Sequence, residues 1–211
     1  VNDYDGNVYG TVLIGDQCWM VSNLNTTRDS DGSQITRYCY ENNSDNCELY
    51  GGLYTWSTVM NGAGSSIGNP SGVHGICPDG WHVPSDREWT ELTNYLINNY
   101  VDINSNNVGN KLKSCRQESS PLSGDCSTST HPRWNSHGTH FGTNDFGFCS
   151  LPGGGYGGGT YSVLGSHGHW WSCTEISTTG VFTRYMSCYN GNVIKYPTFK
   201  TYGFSVRCLK D

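Results

Sequence analysis

Histidines and cysteines are the residues of this chain best suited to metal chemistry. His167 and His169 lie two positions apart and could share one strand face, and His137 and His140 are also close together. A zinc or copper site needs further ligands, and no recognised spacing supplies a third. We therefore predict no transition-metal site and regard these histidines as ordinary residues of a polar, glycine-rich chain.

Asp29 and Asp31, followed by Gly32, are candidate calcium ligands because Ca²⁺ prefers carboxylate oxygens in a turn. The segment lacks the glutamate that completes an EF-hand loop. Turns also select Asp and Gly for their backbone properties. We assign no metal centre, and a structural calcium ion at these two weak candidates is the one cofactor that the sequence leaves open.

The glycine-rich segment at 151–161 (LPGGGYGGGTY) could suggest a nucleotide loop. However, no Lys-Ser/Thr pair and no helical pattern follow it, so it does not match a phosphate-binding loop. It is more typical of a close backbone turn beneath aromatic rings. Glu88 and Glu91, which could act as paired carboxylates, are better explained as first-turn residues of a helix. The sequence predicts that the protein is not an enzyme.

Composition narrows the class of partner. Charged residues make up only 14% of the 211 residues, and the net charge is −6. Without a basic stripe, the chain is not expected to bind nucleic acid. No stretch of 18 apolar residues occurs, so the sequence predicts no membrane span.

Ten cysteines without a C-x-x-C pair predict five disulfides formed in an oxidising compartment. Spacing alone leaves about 945 pairings open by extension of the usual count. Local loops favour two pairs, and a hairpin centred near 179–180 favours a third, because antiparallel register would place its cysteines opposite each other. These three expected pairs are Cys39–Cys47, Cys115–Cys126 and Cys173–Cys188.

The elements that position these residues are mostly short strands. Residues 3–24 read as paired strands with a turn at Asp5-Gly6. Ser85 and Glu88 form a capping box that opens an amphipathic helix over 86–99, and residues 50–60 favour a second, shorter helix. The C-terminal segments 169–175, 181–191 and 202–208 alternate like a three-strand meander. We predict one α+β domain over 1–211, mostly antiparallel and rich in long loops.

Eight motifs occur in order along nearly the whole chain. They are DYDGNVYGTVLIGDQCWMVSNL, YGGLYTWSTV, ICPDGWHVPSDREWTEL, GNKLK, RWN, FGTNDFGFCSLPGGGY, HWWSCTE and YGFSVRCLKD. Together they resemble the Fibrobacter succinogenes major paralogous domain family of secreted Bacteroidetes and Fibrobacteres proteins. The resemblance implies a C-type-lectin-like fold, which is also the fold of formylglycine-generating enzymes, and a secreted or cell-surface location.

The resemblance adds expectations about cross-links and calcium. Cys77 and Cys208 occupy positions typical of the family and are expected to pair, which leaves Cys18 and Cys149 as the fifth pair by subtraction. No EPN, QPD or WND triplet occurs, so calcium-dependent sugar binding of the animal lectin type is not expected.

The C-terminal strands also resemble the variable, ligand-binding surface of diversity-generating retroelement proteins. Alternate side chains of a strand face opposite sides, and Met186 and Cys188 are expected to face inward. The opposite face would then carry tyrosines, which combine contact area with hydrogen bonding. The candidate ligand-binding residues are Thr183, Tyr185, Ser187, Tyr189, Ile194, Tyr196, Thr198, Phe199, Thr201, Tyr202 and, as the outward member of the Trp170-Trp171 pair, Trp171. The alternative is an ordinary exposed strand, where Tyr and Thr are common.

The sequence thus predicts an extracellular recognition domain, an adhesin or receptor-binding tip, whose ligand is a glycan or a protein on another surface. Two alternatives remain: a structural subunit of a surface appendage or fibre, and an enzyme of the formylglycine-generating superfamily. That enzyme class holds copper with a cysteine pair near the chain end. Here only Cys188 and Cys208 lie there, and both are expected in disulfides.

Overall fold

The computed structural model describes all 211 residues as a mixed α/β domain with mostly antiparallel short strands. In chain order the strands are β1 (Thr11–Ile14), β2 (Gln17–Met20), β3 (Tyr54–Thr55), β4 (Trp81–His82), β5 (Gly155–Gly157), β6 (Thr160–Ser162), β7 (His167–Glu175), β8 (Gly180–Ser187), β9 (Ile194–Phe199), β10 (Gly203–Phe204) and β11 (Leu209–Lys210). The helices are α1 (Ser44–Tyr50), α2 (Trp56–Met60), α3 (Asp86–Asn99) and α4 (Val108–Leu112), with 3₁₀ turns at Tyr40–Asn42 and Gly124–Cys126.

The strands form three sheets. The terminal sheet has the order β1-β2-β11-β4, the middle sheet β3-β10-β5-β6, and the long sheet β7-β8-β9. In the terminal sheet, Leu209 pairs with both Trp19 and His82, which closes the C-terminal end of the chain between an early hairpin and β4. The predicted pairing of short strands near the N-terminus is confirmed by the β1–β2 register.

Helix α3 begins as predicted. The Ser85 hydroxyl accepts from the Glu88 amide and the Glu88 carboxylate accepts from the Ser85 amide, which is a complete capping box. Trp89, Leu92 and Leu96 recur at helical spacing on its buried face. The second helix expected within 50–60 forms only at Trp56–Met60, as α2, because residues 54–55 form β3; α1 and α4 were not expected. These helices have two turns or fewer, so they are too short to show a clear helical period.

The predicted C-terminal meander is confirmed for β7 and β8, but its third strand was wrong. The partner of β8 is β9, whereas residues 203–204 pair with β3 and β5 in the middle sheet. Two hydrogen bonds then join the sheets: the Ser205 amide donates to the His169 carbonyl, and the Trp171 amide donates to the Ser205 carbonyl, both at 3.1 Å. The middle sheet therefore continues directly beside β7.

Strand β7 lies between two hydrophobic cores. Trp170 belongs to the core that contains α3 residues, and Trp171 belongs to the core that contains α2 residues. Each indole N–H has a buried acceptor: Trp170 donates to the Asn23 side-chain oxygen at 2.8 Å, and Trp171 donates to the Tyr54 carbonyl at 2.6 Å. Both faces of this strand are therefore interior at Trp170 and Trp171.

Three of the five expected disulfides are present. Cα atoms lie 5.0 Å apart in Cys39–Cys47, 5.1 Å in Cys115–Cys126 and 5.9 Å in Cys77–Cys208. The first two close short local loops. The third joins the segment before β4 to the segment before β11, across 131 positions of sequence.

The pairs Cys173–Cys188 and Cys18–Cys149 are absent, and all four cysteines are free. In the β7–β8 register, His167 pairs with Ser187, so Cys188 lies opposite residue 166 rather than residue 173. Seven strand residues, or roughly 20 Å, then separate the two thiols along the sheet. Cys18 packs against the core that contains Trp171, whereas Phe148, which precedes Cys149, belongs to the other core.

Candidate binding site

The face of β8 expected to point outward is largely covered. Thr183 is fully buried, and its hydroxyl donates to the Tyr196 carbonyl at 3.2 Å. Ser187 is also buried, and its hydroxyl accepts from the Tyr189 amide. The expectation was wrong for these two residues because this side of β8 is exposed only in part: Thr183 lies opposite Trp171 in the register, and Trp171 belongs to a buried core.

Trp171 was also expected to bind ligand as the outward member of its pair, and this is wrong because only 1% of it is exposed. Strand alternation does place it opposite to Trp170, as expected, but both sides are occupied by core. Thr183 lies directly across from Trp171 in the register. This face is therefore buried at Trp171 and Thr183. It becomes accessible at the next pair on the same side, His169 and Tyr185.

Three of the predicted tyrosines do come together. Tyr185 of β8, Tyr196 of β9 and Tyr202 before β10 line one open cavity of about 450 Å³. The register explains this arrangement, because Tyr185 pairs with His169 and Tyr196 pairs with Thr183, which places all these side chains on the same side of the long sheet. Besides these tyrosines, the cavity is lined by Gly155, Tyr156, Gly157, Ser162, Val163, His167, His169 and Phe204. We call this set the aromatic cavity.

Ring geometry gives the aromatic cavity a floor and a corner. His169 stacks on Phe204 with ring centroids 4.6 Å apart and planes 15° apart, and His167 lies nearly parallel to His169 at 5.9 Å. Tyr185 and Tyr196 meet almost perpendicularly, at 83° and 5.9 Å. The edge of one tyrosine ring therefore meets the face of the other, and the two residues give the cavity both apolar surface and hydroxyl groups.

Glycines of β5 make room for these rings. A Cβ atom on Gly157 would lie 2.2 Å from the Tyr202 ring, and one on Gly155 would lie 2.6 Å from the Phe204 ring. Any side chain at either position would displace the ring beside it. This confirms that the glycine-rich segment is a close backbone approach beneath aromatic rings.

Both histidines of the aromatic cavity are held in the neutral form. Burial, together with a smaller effect of the neighbouring His167, lowers the pKa of His169 to about 3. Burial also lowers the pKa of His167. Nδ1 of His169 is shielded from solvent and has no hydrogen-bond partner. Sequence reasoning missed these residues as binding residues because the His-x-His spacing was considered only for metal.

The remaining predicted residues lie at the rim or outside the aromatic cavity. Tyr189 is 63% exposed and its ring lies 5.9 Å from His167, so it stands at the rim. Phe199 is 58% exposed and packs edge-on against Tyr202 at 6.0 Å. Three others do not line the cavity: Ile194 and Thr198 are half-buried on β9, and Thr201 is exposed beyond it.

An ion cluster fixes the strands of the cavity to α3. The Asp86 carboxylate lies 2.7 Å from the Arg184 guanidinium and 2.7 Å from the Lys195 ammonium. Arg184 also donates to the Thr90 hydroxyl at 2.6 Å. Further along, Lys200 pairs with Glu175. These contacts hold β8 and β9 in register with the helix, and with them Tyr185 and Tyr196.

The sequence profile of the Fibrobacter succinogenes major domain matches residues 12–210. The chain belongs to this family. The match includes α3, the middle sheet and the long sheet, so every element that builds the aromatic cavity lies inside the family domain. No curated protein and no solved structure matches the chain.

In this Fibrobacter succinogenes major domain, the calcium candidates Asp29 and Asp31 form part of a hydrogen-bonded turn. The Asp29 carboxylate accepts from the backbone amides of Asp31 and Ser33 and from the Asn61 side chain. These bonds account for the burial of Asp29 through the turn chemistry of Asp residues. Nowhere in the chain do three or more His, Cys, Asp or Glu side chains converge as a metal ligand set.

One further motif carries chemistry in other proteins. Residues 64–68 read Gly-Ser-Ser-Ile-Gly, the spacing of a nucleophile elbow. That motif needs a strand before the serine and a helix after it. Here the segment is an irregular loop, and the Ser66 hydroxyl accepts from the Gly68 amide. The local structure is therefore not that of a nucleophile elbow.

The longest helix of the domain, α3, has 14 residues. No helix in the structure combines the length and the apolar surface that crossing a bilayer requires.

Proposed function

We propose that this domain is an extracellular recognition module with a C-type-lectin-like fold, which binds a glycan or a protein on another surface through the aromatic cavity. The observation that carries the proposal is the convergence of Tyr185, Tyr196 and Tyr202 on one open cavity of about 450 Å³. This volume lies within the range of small-ligand sites, about 300–1,000 Å³. Tyrosine-rich surfaces suit recognition because each ring adds contact area and a hydroxyl with few rotors to freeze.

Rigidity supports the same role. All cavity residues except Val163 and Tyr202 stand on strands, and the Asp86 ion cluster and the core around Trp171 hold β7, β8 and β9 in place. A preorganised site loses less conformational entropy on binding. The three disulfides favour an oxidising compartment, which supports a secreted or cell-surface location.

The C-type-lectin-like assignment is supported by two segments. HVPSDREW, which resembles that superfamily's helix opening, becomes the cap and first turn of α3, and YGFSVRC, which resembles its terminal strand, begins with β10. Their residues Trp89 and Phe204 enter the two cores on either side of β7. The two segments thus pack on opposite faces of β7, the strand that also carries His167 and His169.

The test is a glycan and cell-surface protein array probed with the wild type and with Tyr196→Ala, whose ring is 50% exposed and supports little of the core. A triple variant, Tyr185→Ala/Tyr196→Ala/Tyr202→Ala, follows once its circular dichroism matches the wild type. The matched control is Tyr100→Ala, a 42% exposed tyrosine that does not line the aromatic cavity. We expect Tyr196→Ala to weaken binding at least fivefold and Tyr100→Ala to leave it unchanged. Equal binding by all folded variants would refute the proposal.

The alternative role, a structural subunit of an appendage, would use an exposed strand edge for assembly. β9 is an edge strand, but Pro197 at its centre lacks an N–H, and such prolines protect edges from strand addition. For the enzyme alternative, Cys208 is bonded to Cys77, and Cys188 has no second free cysteine beside it near the chain end. Both observations favour recognition over these alternatives.

A further inference from the structure

We propose that the aromatic cavity takes an uncharged sugar ring, and that it discriminates against acidic sugars without using a metal ion. This proposal rests on the recognition function above and names the chemical class of its ligand. It depends on three features of the cavity: the absence of charge in its lining, the mixture of ring faces and hydroxyls, and one unsatisfied buried nitrogen.

No Asp, Glu, Lys or Arg is among the residues that line the aromatic cavity. The two nearby lysines of β9 and its following turn are already engaged, Lys195 with Asp86 and Lys200 with Glu175. Because burial keeps His167 and His169 neutral, the lining carries no formal charge near neutral pH. A carboxylate or sulfate entering the cavity would lose hydration without gaining a counter-charge, which is unfavourable.

The lining is nevertheless polar enough to disfavour a purely apolar ligand. Tyr185, Tyr196, Tyr202 and Ser162 bring hydroxyl groups, and the histidines bring ring nitrogens. Each hydroxyl can both donate and accept a hydrogen bond. An apolar ligand would cover these groups without replacing their water contacts. A neutral pyranose matches the lining because it has an apolar ring face for stacking and hydroxyl groups around its edge.

His169 supplies the most specific contact. Its Nδ1 is buried without a partner, while its ring is fixed by stacking on Phe204 and by the backbone bond from Ser205 to its carbonyl. Buried polar atoms in folded proteins normally have a partner. Because this nitrogen is shielded from solvent in the free protein, a sugar hydroxyl that bonds to it must first displace the side chains that cover it. Once bonded, the hydroxyl satisfies the nitrogen, and His169 selects a ligand with a hydroxyl at one fixed position.

The experiment compares sugar pairs that differ only in charge. Glucose- and galactose-terminated oligosaccharides are measured against their glucuronate- and galacturonate-terminated counterparts, by array and by calorimetry, in buffer containing EDTA. We expect the neutral member of a pair to bind at least about tenfold more tightly, with no loss in EDTA. His169→Phe keeps the stacked ring but removes both nitrogens, and we expect it to weaken neutral-sugar binding about five- to tenfold. Tyr100→Ala serves as the control.

The outcomes separate this proposal from the broader one. Tighter binding of the acidic member, or binding abolished by EDTA, would overturn the neutral-sugar assignment and leave recognition by the cavity standing. Binding to a protein but to no sugar, sensitive to Tyr196→Ala, would do the same. Ligand binding that neither Tyr196→Ala nor His169→Phe changes would overturn the recognition function itself.

Discussion

Two of the four free thiols are sealed inside the protein. Cys173 lies in the core beside Trp171, where burial raises the pKa of its thiol to about 12, and Cys188 lies in the other core, where burial also raises the thiol pKa. Because the thiolate is the reactive form, both groups should be inert in the native state. Cys18 and Cys149 are only half-buried.

A thiol titration without reductant therefore distinguishes the structure from five complete disulfides. We expect four reactive thiols per chain in guanidinium chloride, and no more than two, Cys18 and Cys149, in native buffer. Mass mapping of the alkylated peptides would identify them. A denatured chain with no reactive thiol would show that the two absent pairs form after all.

His82 gives the domain a pH-dependent contribution to stability. It is buried, with Nε2 2.8 Å from Glu88 and Nδ1 2.7 Å from Asp211. Burial alone lowers the pKa of His82, but hydrogen bonds and charge from the two carboxylates outweigh it, so the pKa lies above the ordinary 6.5. A histidine whose folded-state pKa is raised contributes stability that is full below its unfolded pKa and is lost as the pH rises through the folded value.

We expect the difference in unfolding free energy between wild type and His82→Gln to be largest near pH 6 and to shrink as the pH rises toward 9. Glutamine fills a similar space and can hydrogen-bond, but it cannot take a charge. Urea melts at several pH values measure the difference. A gap that stays constant over this range would mean that the imidazole acts by packing alone. His74→Gln, a partly exposed histidine with a 3.6 Å contact to exposed Asp79, is the control.

At the level of elements, the Asp86 cluster determines how the sheet of the cavity meets α3. Asp86 is buried and serves two cations, Arg184 from β8 and Lys195 from β9. Removing one partner of a buried ion pair leaves an uncompensated charge and costs roughly 3–5 kcal/mol. Exposure of Lys195 moderates this cost, so Asp86→Asn should lower the unfolding free energy by about 3 kcal/mol in a denaturant melt.

The matched control for Asp86→Asn is Asp145→Asn, which removes a 2.8 Å pair with Lys111 in a more exposed setting. Surface pairs contribute about 0–1 kcal/mol, so we expect a loss below about 1 kcal/mol. Equal losses in the two variants would contradict a special role for the cluster. Asp86→Asn should also weaken ligand binding, because it loosens the strands that carry Tyr185 and Tyr196.

The same elements show what the sequence could and could not predict. The Ser85–Glu88 box and the early hairpin are local, so helix α3 and the β1–β2 pair followed directly from residue patterns. The β7–β8 hairpin is equally local, but its pairs His167–Ser187 and Glu175–Val181 centre it at residues 177–178 rather than near 179–180, so Cys188 does not lie opposite Cys173. Alternation also assumes that one face is exposed along its whole length, whereas this face of β8 is buried at Thr183 and open at Tyr185, so the prediction is right for Tyr185 and wrong for Thr183.

At the scale of the whole molecule, three disulfides and three sheets stabilise a domain that has few hydrophobic residues. Only 35% of residues are hydrophobic, yet the domain keeps two cores. The terminal sheet and the Cys77–Cys208 disulfide join the C-terminal segment to the first hairpin and to the segment before β4. Each disulfide should contribute roughly 2–4 kcal/mol by restricting the unfolded chain.

Reduction of all three disulfides should therefore lower the melting temperature by more than about 10 °C, given roughly 2–4 °C per kcal/mol for a domain of this size. Calorimetry with and without a strong reductant measures the shift. An unchanged melt would mean that the cores alone hold the domain together and that the bridges are incidental to stability.

The bridges should not contribute equally. Cys77–Cys208 spans 131 positions and Cys115–Cys126 spans 11, and the entropy lost by the unfolded chain grows with the logarithm of the loop. Replacing the long bridge by Cys77→Ala/Cys208→Ala should thus cost about 2 kcal/mol more than Cys115→Ala/Cys126→Ala. Comparable losses in denaturant melts would show that the stabilisation is local. The long bridge would then matter only for holding β11 between β2 and β4.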